Sequence, residues 1–165
     1  MVDGYNIIFA WDELEQIAST SLASARLRLC DILCDYQGIT GKVVIVVFDA
    51  HMVEGNLGAV EEYHNITVVY TKEAETADNY IEHRAQELSK AHKITVATSD
   101  SLEQIIILSR GAMRMSAKDL LENIKQVKAQ IKEQYLDVQP VKNNPLYGLL
   151  DEETTKKLDA MRHSG

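Results

Sequence analysis

Apolar positions along the chain alternate between two spacings. Val2 and residues 5–9 flank the polar pair Asp3-Gly4 and predict a strand near the start of the chain. Leu22, Ala25, Leu29, Leu33 and Tyr36 recur at helical spacing behind Ser19-Thr20-Ser21, a cluster suited to capping, and Gly38 and Gly41 mark the end of that helix. Residues 43–48 form a β-branched run that is apolar on both faces, as a buried central strand requires. Ile66–Tyr70 is a second such run. Ala77, Ile81, Ala85 and Leu88 predict another amphipathic helix, followed by a strand over 94–97, a short buried helix over 102–108 and a strand over 112–115. Ser116 with Asp119 has the form of a capping box, and it opens a long helix with an apolar stripe of Leu120, Ile124, Val127 and Ile131. From 138 to 150 the pattern turns irregular around Pro140 and Pro145, and a last helix is expected over 152–161.

Strands alternating with helices predict an α/β fold, a three-layer sandwich around a mostly parallel central sheet. The expected organisation is one domain over 1–137 with a C-terminal extension over 138–165 that carries the short helix. Composition agrees with one compact domain: 165 residues, 45% hydrophobic and 25% charged, with only 2 Pro. No apolar run approaches the ~20 residues of a membrane span, and no basic stretch leads into an apolar segment at the start, so the expected location is the cytoplasm, with no membrane partner.

Charge narrows the choice of partners. The chain has 17 Lys and Arg against 25 Asp and Glu, a formal net charge of −8. Its overall field repels nucleic acid, so a nucleic-acid function would require a local basic patch, a metal or a larger partner that brings the substrate close. Cys30 and Cys34 have no second Cys or His pair at ligand spacing and read as thiols of a helix face in a reducing compartment.

The chemistry is carried by the residues just past each expected strand, because ligands of parallel sheets bind beyond the strands' carboxyl ends. Asp3-Gly4-Tyr5-Asn6 succeeds the first, Asp49-Ala50-His51 the second, the segment from Thr71 and Lys72 through Glu75 to Asp78 the third, and Thr98-Ser99-Asp100 the fourth. Each delivers a carboxylate to one edge. Two carboxylates about 5 Å apart repel by roughly 3 kcal/mol at an effective dielectric near 20. Such a cluster takes up protons or holds a cation, and an all-oxygen donor set selects a hard one, Mg²⁺ or Mn²⁺. A metal held this way suits attack of water on a phosphoester. Asp3 carries most weight, since a charge inside an apolar strand is costly unless it has a task. Asp100 also suits a helix cap, Asp78 the dipole of a first helical turn, and Asp49 a simple strand end, so for these both readings stand.

Competing signatures are missing. There is no G-x-x-x-x-G-K-[ST], no G-x-G-x-x-G, no H-E-x-x-H and no G-x-S-x-G, and no second acid stands two residues after Asp3 to suggest a phospho-aspartate enzyme.

The ordered set Val2-Asp3-Gly4-Tyr5-Asn6-Ile7-Ile8, Val46-Val47-Phe48-Asp49-Ala50-His51, Tyr70-Thr71-Lys72-Glu73, Glu75-Thr76-Ala77-Asp78 and Thr98-Ser99-Asp100 resembles the YacP-like NYN-domain family, bacterial relatives of PIN-domain nucleases. Gly111-Ala112, Arg114 and Ser116-Ala117 continue the match over nearly the whole chain. The resemblance implies a PIN-like (NYN) fold and a metal-dependent endoribonuclease that cuts mRNA in association with the translating ribosome. It implies Asp3, Asp78 and Asp100 as catalytic, metal-binding acids, Asp49 and Glu75 as supporting ones, and Asn6 and Ser99 as orienting groups. A ribosome partner would offset the repulsion of RNA by an acidic protein. Lys72, Arg110 and Arg114 are the expected RNA contacts. Lys118, Lys125, Lys128 and Lys132, on one arc of the long helix, read as a solvated face or as a phosphate track, and Tyr5 as core or as a stacking surface. Other readings of the same edge are a non-catalytic RNA- or ribosome-binding module and a small-molecule phosphohydrolase.

Overall fold

The structure, a computed structural model, describes residues 1–49, 58–72, 74–100 and 111–137, with side chains to 133. Its elements are β1 (Val2–Asp3), α1 (Gly4–Ala10), α2 (Asp12–Thr20), α3 (Leu22–Thr40), β2 (Ile45–Phe48), β3 (Ala59–Tyr63), β4 (Ile66–Tyr70), α4 (Ala77–Leu88), β5 (Thr95–Thr98), β6 (Met113–Ser116) and α5 (Ala117–Asp137). The strands form one sheet in the order β3-β4-β2-β1-β5-β6, parallel throughout except for β3. The α/β architecture read from the alternation of strands and helices is therefore present.

Met1–Ile131 form one compact unit. Of the second, Lys132–Gly165, the helix is described as far as Asp137, with side chains at Lys132 and Glu133. The expected boundary after 137, the C-terminal helix over 152–161 and the helix over 102–108 lie outside the described residues.

Central strands are apolar on both faces because both faces are covered. Val46, Phe48 and Val68 belong to a core shared with α1, α2, α3 and the start of α5. Their neighbours Val47, Val69 and Val96 point the other way, onto Ala77, Ile81 and Ala85 of α4. Successive strand residues face opposite sides, so a run with no polar interruption is what two covering layers demand. Trp11 ties the first layer together: its indole N–H donates to the Ala117 carbonyl at 2.9 Å across the buried interface.

One expectation needs correction, and two elements lie beyond what the pattern predicts. Residues 5–9 do not continue the first strand; they are helical, within α1. A short apolar run cannot be told from a buried helix by periodicity. Here Ile7 and Ile8 are both fully buried because α1 lies in contact with β2 and with α3, while Asp3 caps its first turn. The strand β3 was not anticipated, because Glu61 and Glu62 break any apolar pattern in this exposed edge strand. It is set by hairpin pairing, with His64 at positive φ (52°) in the turn to β4. The acidic helix α2 was also missed, since only Leu14 of its nine residues is buried.

Candidate functional site

The site begins with a strand too short to bury its own last residue in pairing alone. Asp3 ends β1 and caps α1, which starts at the very next residue. Gly4 permits this abrupt change: a Cβ there would stand 2.2 Å from the Phe48 ring. Asp3 is 3% exposed, and both of its oxygens are engaged by Asn6. Oδ1 accepts the Asn6 backbone N–H at 3.1 Å, and Oδ2 accepts the Asn6 side-chain amide at 2.7 Å. The Ser99 hydroxyl donates to Asn6 Oδ1 at 2.7 Å and lies 3.3 Å from the Asn6 carbonyl oxygen. Ser99 thereby fixes the amide orientation that Asn6 needs in order to donate to Asp3.

Asp78 reaches the same carboxyl from the first turn of α4, whose cap is Thr76, with Oγ1 accepting the Asn79 N–H at 3.2 Å. Burial is the main cause that pushes the Asp3 pKa up to about 6; the two Asn6 hydrogen bonds oppose it, and both the Asp78 charge and a hydrogen bond with Asp78 add to the rise. Carboxylates in contact repel by about 4 kcal/mol at an effective dielectric near 20. The pair is therefore built to share a proton or to bind a cation.

Asp100 lies just past β5, the strand beside β1, where its N–H donates to the Thr98 hydroxyl at 3.1 Å. Asp49 succeeds β2 on the other side of β1; burial is the main cause that raises the Tyr5 pKa, and the Asp49 charge adds to it. Glu75 is half-buried in the turn before α4, its N–H bonded to the Lys72 carbonyl at 2.9 Å. The structure thus joins Asp3, Asn6, Asp78 and Ser99 in one chain of contacts. It places Asp49 and Asp100 on the flanking strand ends and Glu75 ahead of α4. Among the described residues no group of three or more His, Cys, Asp and Glu stands close enough together to hold a metal. The donor set that is present, two carboxylates with a carboxamide and a hydroxyl beside them, still fits Mg²⁺, which is commonly held by one or two carboxylates and several waters.

Among the expected RNA contacts, Lys72 is exposed just beyond β4 and packs against Gly58, where a Cβ would stand 2.8 Å from Lys72 Cγ and where φ is 91°. Arg114 is exposed on the edge strand β6, opposite Val96 and two residues short of the strand's carboxyl end. Arg110 lies outside the described residues. On α5, Lys128 is ion-paired to Asp35 of α3 at 2.9 Å, which takes it out of any continuous phosphate track. Tyr5 is core: its ring packs edge-on against Phe48, and its hydroxyl accepts from Arg26 at 3.0 Å. Cys30 is buried, which pushes its thiol up to about 12, so it is no nucleophile.

Arg26 was not anticipated as part of this edge. It sits in the second turn of α3, where no spacing sets it apart from Arg28. No helix among the described residues is long and apolar enough to cross a membrane.

Comparisons with known proteins agree with this fold. A family profile described as the YacP-like NYN domain matches residues 1–163. The Bacillus subtilis (strain 168) protein named "Uncharacterized protein YacP" is 46% identical over 132 residues, which cover 79% of this chain and 77% of that protein. The crystal structure of Rae1 (YacP) from Bacillus subtilis matches at a TM-score of 0.70 and 40% identity, over 99% of this chain and 93% of that one. A tryptophan-to-leucine mutant of the same protein matches at 0.71 and 37%, over 97% and 96%.

Proposed function

We infer function from one premise: the chain belongs to the YacP-like NYN domain family. On that premise it is a metal-dependent endoribonuclease that cuts mRNA in association with the translating ribosome. The single observation that supports this reading most is the buried Asp3 carboxyl facing Asp78, whose mutual repulsion a divalent cation would relieve.

Asp3 and Asp78 would hold Mg²⁺ or Mn²⁺, with Asp100 completing the set from the end of β5. When bound, the metal supplies an activated water and neutralises charge on the phosphate being cut. The chain's own contribution is positional. Asn6 and Ser99 lock the Asp3 carboxyl in one orientation, so its oxygens need no reorganisation when the substrate arrives. Asp49 and Glu75 add negative charge near the site and keep the acids' demand for a cation high. Docking on the ribosome would bring mRNA to a protein whose net charge of −8 repels it in solution.

The test is cleavage of mRNA on translating ribosomes by purified protein with Mg²⁺ or Mn²⁺, alongside Asp3→Asn. Metal-dependent cuts by the wild type alone are expected. Ribosome association with no cleavage would identify a binding module instead, and turnover of a generic phosphomonoester would identify a small-molecule phosphohydrolase.

A further inference from the structure

Beyond the acids, the carboxyl edge carries a cation whose hydrogen-bond partner is a phenol. The Arg26 guanidinium of α3 donates to the Tyr5 hydroxyl at 3.0 Å and lines one cavity with Tyr70, whose phenol its charge also influences. Arg28, Arg84 and Lys128 are, by contrast, ion-paired with Glu13, Glu87 and Asp35. A half-buried guanidinium held by a neutral hydroxyl keeps its full charge while losing part of its hydration, a state that an arriving anion stabilises. The Tyr5 bond occupies only part of its five-donor fork, and the rest suits bidentate binding of a phosphate.

Its location defines which phosphate. Tyr5 adjoins Asn6 in the first turn of α1, and Tyr70 ends β4, two strands from β1 across β2. Neighbouring strands are about 4.8 Å apart, so Tyr70 is roughly 10 Å along the edge from Asp3. The rings between them are continuous: Tyr5 packs on Phe48 at 5.2 Å and Phe48 on Tyr70 at 5.8 Å. This wall fixes both hydroxyls, and so fixes the guanidinium. The acids nearby are Asp49, whose charge reaches Tyr5, and Glu61, whose charge reaches Tyr70; Glu61 and Glu62 also line the cavity of about 270 Å³ that Arg26 borders with Leu27 and Cys30. Their charge opposes an anion elsewhere in this cavity, so the Arg26 fork is where a phosphate would be held.

We propose that Arg26, braced by Tyr5 and Tyr70, binds a backbone phosphate of single-stranded RNA adjacent to the one that is cut. The inference rests on the ribonuclease reading for its substrate class, and it is tested by binding alone. The protein in an Asp3→Asn background is titrated with a short single-stranded RNA across a salt series, with Arg26, Arg26→Gln and Arg26→Lys compared. Gln is expected to weaken binding about tenfold and to lower the salt slope by ~0.7, the loss of one phosphate contact, while Lys restores the slope. An unchanged slope in the Gln variant, a slope that Lys fails to restore, or no binding of RNA at all would each overturn it. Absence of cleavage by the wild-type protein would overturn the nuclease reading and leave this result standing.

Discussion

Two helices of this molecule open on acids that cap them, and the two acids titrate in opposite directions. At the start of α5, the Asp119 side chain accepts from the Ser116 hydroxyl at 2.7 Å and the Ser116 N–H at 3.3 Å, while its own N–H donates to that hydroxyl at 3.1 Å. These bonds favour the charged form in water, and they lower the Asp119 pKa. At the start of α1, Asp3 receives similar bonds from Asn6, yet its pKa rises to about 6 because burial outweighs them and Asp78 adds a like charge. The local chemistry of a cap is the same in both. What separates a structural acid from a candidate metal ligand is the desolvation and the second carboxylate that the fold imposes.

The sharpest way to break this contrast is Asp3→Asn. It leaves a carbonyl oxygen to cap α1 and removes the charge that would hold the metal. The metal-dependent cleavage proposed above should fall by at least about 100-fold, the scale of losing one preorganised electrostatic group. Rates on ribosomal mRNA at saturating Mn²⁺ check this.

The same substitution should have the opposite effect on stability. Asp3 has a folded pKa of about 6 against a usual 3.8, so between those values the native state binds more protons than the unfolded state. Stability then falls as pH rises through that window, and the loss is complete above about 6. A shift of this size corresponds to about 3 kcal/mol at pH 7. Without metal, Asp3→Asn should therefore be more stable than wild type by up to about 3 kcal/mol at pH 7, and the gap should close near pH 4. Mn²⁺ should narrow it at pH 7 by stabilising only the wild type, as ligand linkage requires. Urea titrations at the two pH values, with and without the ion, measure all three.

How much of this was legible in the sequence depends on which forces are local. The pattern of apolar runs revealed β2, β4, β5 and the long helices, because burial on both faces leaves an unbroken β-branched run and burial on one face of a helix leaves its period. Ser116 and Asp119 were legible as a cap because every partner lies within four residues. Asp3 stood out as a charge in an apolar stretch, but its pairing with Asp78 depends on the chain crossing from β1 to α4 and cannot be read from spacing. Arg26 was invisible for the same reason: its partners are 21 residues away on α1 and 44 away on β4. The helix over Gly4–Ala10 was misread because its apolar residues face the sheet, α3 and α2, which erases its amphipathic period.

A further test sharpens the role of the backbone turn between β1 and α1. Gly4→Ala places a methyl group where the Phe48 ring lies, at 2.2 Å. Overpacking of this kind costs about 2 kcal/mol. It should also displace the first turn of α1, and with it the Asn6 bonds that orient Asp3. The expected result is a lower midpoint in urea together with a Mn²⁺-induced stabilisation smaller than that of wild type. A variant that loses stability but keeps the full response to Mn²⁺ would show that the acid pair is positioned without this turn.

The smallest effect is expected at the opposite member of the comparison. Ser116→Ala removes the hydroxyl that links the Asp119 carboxylate and N–H, and replacing such a cap costs about 1 kcal/mol. The cap lies at the end of β6, two strands from β1, and its hydrogen bonds run between Ser116 and Asp119 rather than to the acid pair. Cleavage and the response to Mn²⁺ should therefore match wild type once stability is accounted for. Because Asp119 loses the hydroxyl bond that most favours its charge and keeps only the one from the backbone N–H of residue 116, the cost should be largest at pH 7 and shrink as pH falls through the carboxylate range. The sign is opposite to that of Asp3→Asn, and stability curves of the two variants that lie on opposite sides of wild type at pH 7 and converge toward it as pH falls would isolate burial, rather than capping, as what makes an acid at a helix start chemically special.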